Sequence, residues 1–65
     1  MMEYSNSQIR EIIEEWIHND RDRQILSLRL IEGRTFEQIA EQVDMSDRQV
    51  RRIVYRLQET LFKHL

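Results

Sequence analysis

Apolar residues recur at helical spacing along nearly the whole chain. Ile9, Ile12, Ile13, Trp16 and Ile17 fall at i, i+3, i+4, i+7 and i+8, the pattern of a helix with one apolar face. Asn19-Asp20 interrupts that pattern and begins another, in which Ile25, Leu26, Leu28, Leu30 and Ile31 cover much of the circumference. A helix apolar over so wide an arc should lie between others, as a central beam. Gly33 fits the left-handed position just past a helix end, and Arg34 then leads into Thr35. Beyond it, Ile39, Ala40 and Val43 point inward from a short helix, and Val50, Ile53, Val54, Leu57 and Leu61 do so from a longer one. Met1 to Asn6 read as a frayed lead, with cap candidates at Ser5, Asn6 and Ser7. The pattern predicts an all-α, four-helix single domain over residues 1–65, with helices at about 7–18, 20–32, 36–43 and 47–63.

The last two helices are the most closely specified. Thr35-x-x-Gln38 and Ser46-x-x-Gln49 are capping boxes, each pairing a hydroxyl with a Gln three residues on to satisfy the first free amides of a helix. Two starts so close together leave room for one short helix and a tight turn, the outline of a C-terminal helix-turn-helix. Ala40 sits where the next helix must cross closely, so a larger side chain there would hold the two apart. Met45, in the turn Asp44-Met45-Ser46, can plug the angle between them, and Ser46 is a natural N-cap. The apolar stripe of the last helix leaves Asp47, Arg48, Arg51, Arg52 and Arg56 on its outer face.

Composition narrows the chemistry. A chain of 65 residues buries only about 60% of the surface it exposes on unfolding, so its core is small and a dimer or partner would help it. The absence of Cys removes disulfides, thiolate metal sites and cysteine nucleophiles, and agrees with a cytoplasmic home. No apolar run is long enough to span a bilayer and no secretory leader is evident, so a soluble protein with no membrane role is expected. The net charge of −2 argues against a nucleic-acid partner until its distribution is considered. Residues 46–65 carry five basic and two acidic groups, net +3, and the remainder is net −5. The positive end is the proposed reading helix.

From about Asp20 onward the chain resembles region 4 of bacterial sigma factors. The residues that carry the resemblance are Asp22-Arg23-Gln24-Ile25-Leu26, Leu28-Arg29-Leu30, Glu32-Gly33, Thr35-Phe36-Glu37-Gln38-Ile39-Ala40, and Ser46 with Val50-Arg51-Arg52-Ile53. Within that family it is most similar to small stand-alone regulators, often found in phages and other mobile elements. The resemblance implies a helix placed in the major groove of double-stranded DNA, and contact with RNA polymerase is a further candidate. The family usually has Gly where Asp44 stands, a position that commonly takes a left-handed conformation, which Asp tolerates better than most residues and less well than Gly. A working sigma factor also needs a promoter-melting domain that 65 residues cannot hold, so this chain should not start transcription alone.

The expected DNA-binding residues are Ser46, Asp47, Arg48, Gln49, Arg51, Arg52, Arg56, Thr35 and Arg34. Arg51 is the best candidate for a bidentate contact to guanine and Arg48 the second, whereas Arg52, Arg56 and either Gln38 or Arg34 suit phosphates. In sigma region 4 the base contacts come from positions matching Asp47, Arg48, Arg51 and Arg52. Side-chain identities differ at several of these, so a different operator is expected.

The remaining candidates read more plainly. A run of arginines on a helix is usually a solvated face, and here the capping boxes and Ala40 tip the balance toward DNA. Trp16, in register with four Ile residues, is expected in the core, and Tyr55 either contacts a phosphate or is a half-buried core residue. His18 and His64 have no second ligand at metal spacing, so they should be exposed and inert. No metal, cofactor, small-molecule ligand or enzyme activity is expected. Tyr55, Phe62 and Leu65 form a second partial stripe that could close over Trp16 or pair two copies in a homodimer. Two alternatives stay open. One is a LuxR-type effector domain, which lacks the extra first helix. The other is a protein-interaction module that binds RNA polymerase or a sigma factor through its acidic first helix without reading DNA.

Overall fold

The computed structural model describes residues 4–64, which form four helices: α1 (Asn6–Trp16), α2 (Asp20–Leu30), α3 (Phe36–Val43) and α4 (Asp47–Phe62). The fold is all-α, and its last two helices form the helix-turn-helix. Each helix begins on a side-chain cap. Ser5, Thr35 and Ser46 accept from the backbone amides of Gln8, Gln38 and Gln49, whose side chains accept in return from the cap amides. The Ser5 box uses the same hydroxyl-to-glutamine spacing as the other two, which selects Ser5 over Asn6 and Ser7. Asn19 caps α2 by accepting from the Asp22 amide.

The helices end where the backbone is diverted. α1 stops at Trp16 rather than His18 because Ile17 is extended, and the Arg23 guanidinium donates to the Ile17 and Glu14 carbonyls. The last turn of α1 has no basic residue of its own, so a cation from α2 serves its carbonyls and the negative end of its dipole. α2 ends at Leu30, two residues short of Glu32. The Glu32 and Arg34 amides reach back to the Ser27 and Leu28 carbonyls, and Gly33 takes φ 69° between them.

Two apolar clusters fill the interior, and α2 contributes to both. Ile25 and Leu28 pack with Ile39, Ala40, Val50, Ile53 and Val54, whereas Leu26 packs with Ile13, Ile17 and Leu61. Leu57 lies against both clusters. Ile25 and Leu26 are consecutive and completely buried, which requires partners on two sides of one helix. α2 therefore touches each of the other three helices, and α1 and α3 share no contact across it.

Trp16 departs from the expected core. It is 41% exposed, and its ring stacks on His64 with centroids 3.6 Å apart and planes 3° from parallel. Burial of α1 centres on Ile13 and Ile17, and Trp16 lies roughly 60–100° round the helix from them at ~100° per residue. Spacing places it within the apolar arc, yet on a flank that no other helix covers. His64 is exposed, but it holds the end of the chain against α1 through this stack.

Candidate nucleic-acid interface

The turn between α3 and α4 is built on one left-handed residue. Asp44 adopts φ 57° and ψ 49°, which turns the chain so that the Met45 amide donates to the Ala40 carbonyl at 2.9 Å. This is the bond of a Schellman turn, and the apolar contact that accompanies such turns is supplied by Met45, packed against the cluster that contains Ala40. Ala40 itself is 6% exposed, so no space remains for a larger side chain where α3 meets α4. The angle at which α4 is presented thus follows from three neighbouring residues.

Burial of Val50, Ile53 and Val54 turns the opposite face of α4 outward. Arg48, Arg51, Arg52 and Arg56 are all exposed on it. Asp47, Arg48, Arg51, Arg52 and Tyr55 line a shallow concavity. Arg51 is not free within it: its Nη2 lies 3.8 Å from Asp47 Oδ2, one helical turn back.

Ser46 and Gln49, both expected DNA contacts, are committed to the cap. The Gln49 side-chain oxygen accepts from the Ser46 amide and hydroxyl, at 3.1 and 3.2 Å. Thr35 uses its oxygen to accept from the Gln38 amide, which leaves its hydroxyl proton to donate outward. Arg34 is exposed and lies 3.7 Å from Glu32.

A second tier of residues joins this surface through Phe36, the first residue of α3. The Arg29 guanidinium carbon lies 4.2 Å from the Phe36 ring centroid and that of Arg51 lies 5.2 Å from it. Tyr55 meets the same ring edge-on at 5.9 Å. Arg29 also donates to the Arg34 carbonyl at 2.9 Å. One aromatic ring thus gathers side chains from α2 and α4 beside the N-terminus of α3, worth about 0.5–1 kcal/mol for each exposed cation. Neither Arg29 nor Phe36 stands out as a site residue in the sequence, because the ring and its partners lie on three different helices at unrelated spacings. Tyr55 is 55% exposed and belongs to this surface, not to the core.

The expected second stripe on α4 divides between neighbours. Tyr55 packs on Phe36, whereas Phe62 lines a separate apolar groove of about 180 Å³ with Tyr4, Ile9, Ile12, Leu30 and Leu61. Leu65 lies outside the described residues.

Residues 19–57, more than half of the chain, match the family model described as Sigma-70, region 4. The match spans α2, α3 and most of α4, including every residue of the concavity. No curated protein and no solved structure gives a match to the chain.

Proposed function

Because the chain belongs to the sigma-70 region 4 family, whose domains bind DNA and RNA polymerase, we propose that it is a small bacterial or phage transcription regulator that reads double-stranded DNA. In this reading α4 enters the major groove. Arg51 and Arg48 face base edges from its first two turns, and Arg52, Arg56, Arg34 and the Thr35 hydroxyl meet phosphates. The observation that carries it is the concavity lined by Asp47, Arg48, Arg51, Arg52 and Tyr55, held outward by a helix-turn-helix with a tightly packed turn. Base recognition needs such rigidity, because a bidentate contact tolerates little angular error. No enzyme activity and no cofactor belong to this reading, and a cytoplasmic location goes with it.

The test is selection from a randomised duplex pool, followed by fluorescence anisotropy at two salt concentrations. Enrichment of a defined motif is expected, with a log–log salt slope on the order of −4 to −5 if about four to six phosphates are neutralised. Arg51→Ala should remove most of the preference for that motif. Binding no tighter than about 10⁻⁴ M at physiological salt, with no motif, would overturn the reading. The symmetry of a selected motif also reports whether one copy binds or two.

A second reading, contact with RNA polymerase, is supported by the family and by the apolar groove of Ile9, Ile12, Leu30, Leu61 and Phe62. That groove shares no residue with the arginine concavity, so Arg51→Ala should leave polymerase binding unchanged.

A further inference from the structure

The one acidic side chain lining the arginine concavity is Asp47, and it stands beside the arginine best placed to read a base. A carboxylate there works against any surface whose sole task is to attract phosphates. Its position instead suits recognition of a base edge. In the major groove a G·C pair presents, in order, the N7 and O6 acceptors of guanine and the N4 amine donor of cytosine. The O6 and N4 atoms are joined by their own base-pairing hydrogen bond and so lie about 2.9 Å apart. A guanidinium and a carboxylate whose nearest atoms are 3.8 Å apart present donors and an acceptor side by side, on nearly the same scale.

We infer that Asp47 and Arg51 act as one reading unit that selects a G·C pair in a single orientation, with guanine facing Arg51 and cytosine facing Asp47. The inference rests on the DNA-reading role proposed above. Arg51 donates to guanine O6 and N7 while Asp47 accepts from cytosine N4. An A·T pair in the same place turns the thymine O4 acceptor toward the Asp47 carboxylate, with no proton between them. The reversed pair sets the N4 amine against the Arg51 guanidinium. Phe36 supports the unit from the α3 side through its contact with Arg51, and Asp47 lies in the first turn of α4, where the backbone is already fixed by the Ser46 cap. The same carboxylate lowers affinity for unrelated DNA, because it partly neutralises Arg51 before any phosphate does.

The experiment uses the full chain and the duplex selected for it. Each G·C pair of that duplex is replaced in turn by A·T and by C·G, and affinities are measured for wild type, Asp47→Asn and Asp47→Glu. At one pair the wild type should discriminate by roughly tenfold to a hundredfold. Asp47→Asn should reduce that to a few-fold, since a carboxamide can donate to thymine O4 as readily as it accepts from cytosine N4. It should also bind random duplex about two- to fivefold more tightly, one negative charge having left the phosphate-facing surface. Asp47→Glu keeps the charge at the helix start and should retain the preference for cytosine. If Asp47→Asn keeps the wild-type discrimination at every pair, or weakens binding to all duplexes equally, Asp47 serves only the helix end and the inference fails. If the wild type selects no motif, the DNA-reading role itself fails and takes this inference with it. Those two failures are distinguished by the wild-type selection alone.

Discussion

Replacing Asp44 by glycine should stabilise the domain, although the aspartate sits in the turn that orients α4. The residue adopts φ 57°, where an L side chain costs about 1–2 kcal/mol and Asp falls toward the lower end. Its carboxylate also lies at the C-terminal end of α3, where a negative charge opposes the helix dipole by a few tenths of a kcal/mol. Against these gains, glycine has greater freedom in the unfolded chain, which takes back about 0.5–1 kcal/mol. The Asp44 side chain makes no hydrogen bond among the described residues that would be lost. The net effect is a gain of about 0.5–1 kcal/mol, or roughly 3–6 °C in Tm for a domain of this size. Thermal unfolding followed by far-UV circular dichroism measures it, and Asp44→Asn separates the charge from the backbone effect. Gly33→Ala provides the opposite sign from the same physics. A Cβ there meets nothing within 4 Å, so the cost of φ 69° is offset only by the lower entropy of the unfolded chain, and Tm should fall by a similar amount. A lower Tm for Asp44→Gly would refute the argument and show that the carboxylate holds the turn by some means other than backbone angle.

Three further substitutions test the α3–α4 contact, the Phe36 ring and the stack at the chain end. Ala40→Leu overfills the α3–α4 contact and should cost about 1–3 kcal/mol by chemical denaturation, with loss of sequence preference in DNA binding because α4 is tilted. Phe36→Leu keeps apolar volume but removes the ring beneath Arg29 and Arg51. Affinity for the selected duplex should fall about three- to tenfold in anisotropy titrations, while Tm moves by only a few degrees. His64→Ala unstacks the only tryptophan, so the emission spectrum of Trp16 should change while stability changes by less than about 1 kcal/mol. An unaltered spectrum would mean that the chain end does not rest on α1 in solution.

What could be read from the sequence follows the range of the interactions. Caps, the left-handed Gly33 and Asp44, and the alternation of buried and exposed positions on α4 depend on residues within four or five places of one another, and the one-dimensional order displays them. Helix ends were less legible. α1 stops at Trp16 partly because Arg23, from the next helix, takes its carbonyls, and no local pattern announces that. Trp16 lies outside the core that its spacing predicts because periodicity reports which arc of a helix is apolar, not how wide an arc the neighbours cover. Phe36 and Arg29 join this surface only in three dimensions, since they lie on α3 and α2 whereas Arg51 and Tyr55 lie on α4.

The same distinction resolves the charge. A net −2 says little about a DNA partner, because electrostatic influence depends on distance and not on totals. The acidic residues of α1, Glu11, Glu14 and Glu15, are exposed on a helix that α2 separates from α3. Two helix-packing distances put them about 16–20 Å from the α3 side of the domain, and α1 meets α4 at Leu61, about two to three turns from Arg51. At physiological ionic strength the screening length is about 8 Å, so those charges scarcely reach a duplex lying against α3 and α4. Asp47 is the exception, since it lines the concavity at 3.8 Å from Arg51, within direct reach of whatever enters. Its removal should therefore alter which DNA is bound, whereas the acids of α1 can be neutralised with little effect on that choice. Replacing Glu11, Glu14 and Glu15 together by Gln should leave the selected motif and its mismatch penalties unchanged. A shift in motif on that change would mean that DNA wraps past α2, and the reading surface would have to be extended to α1.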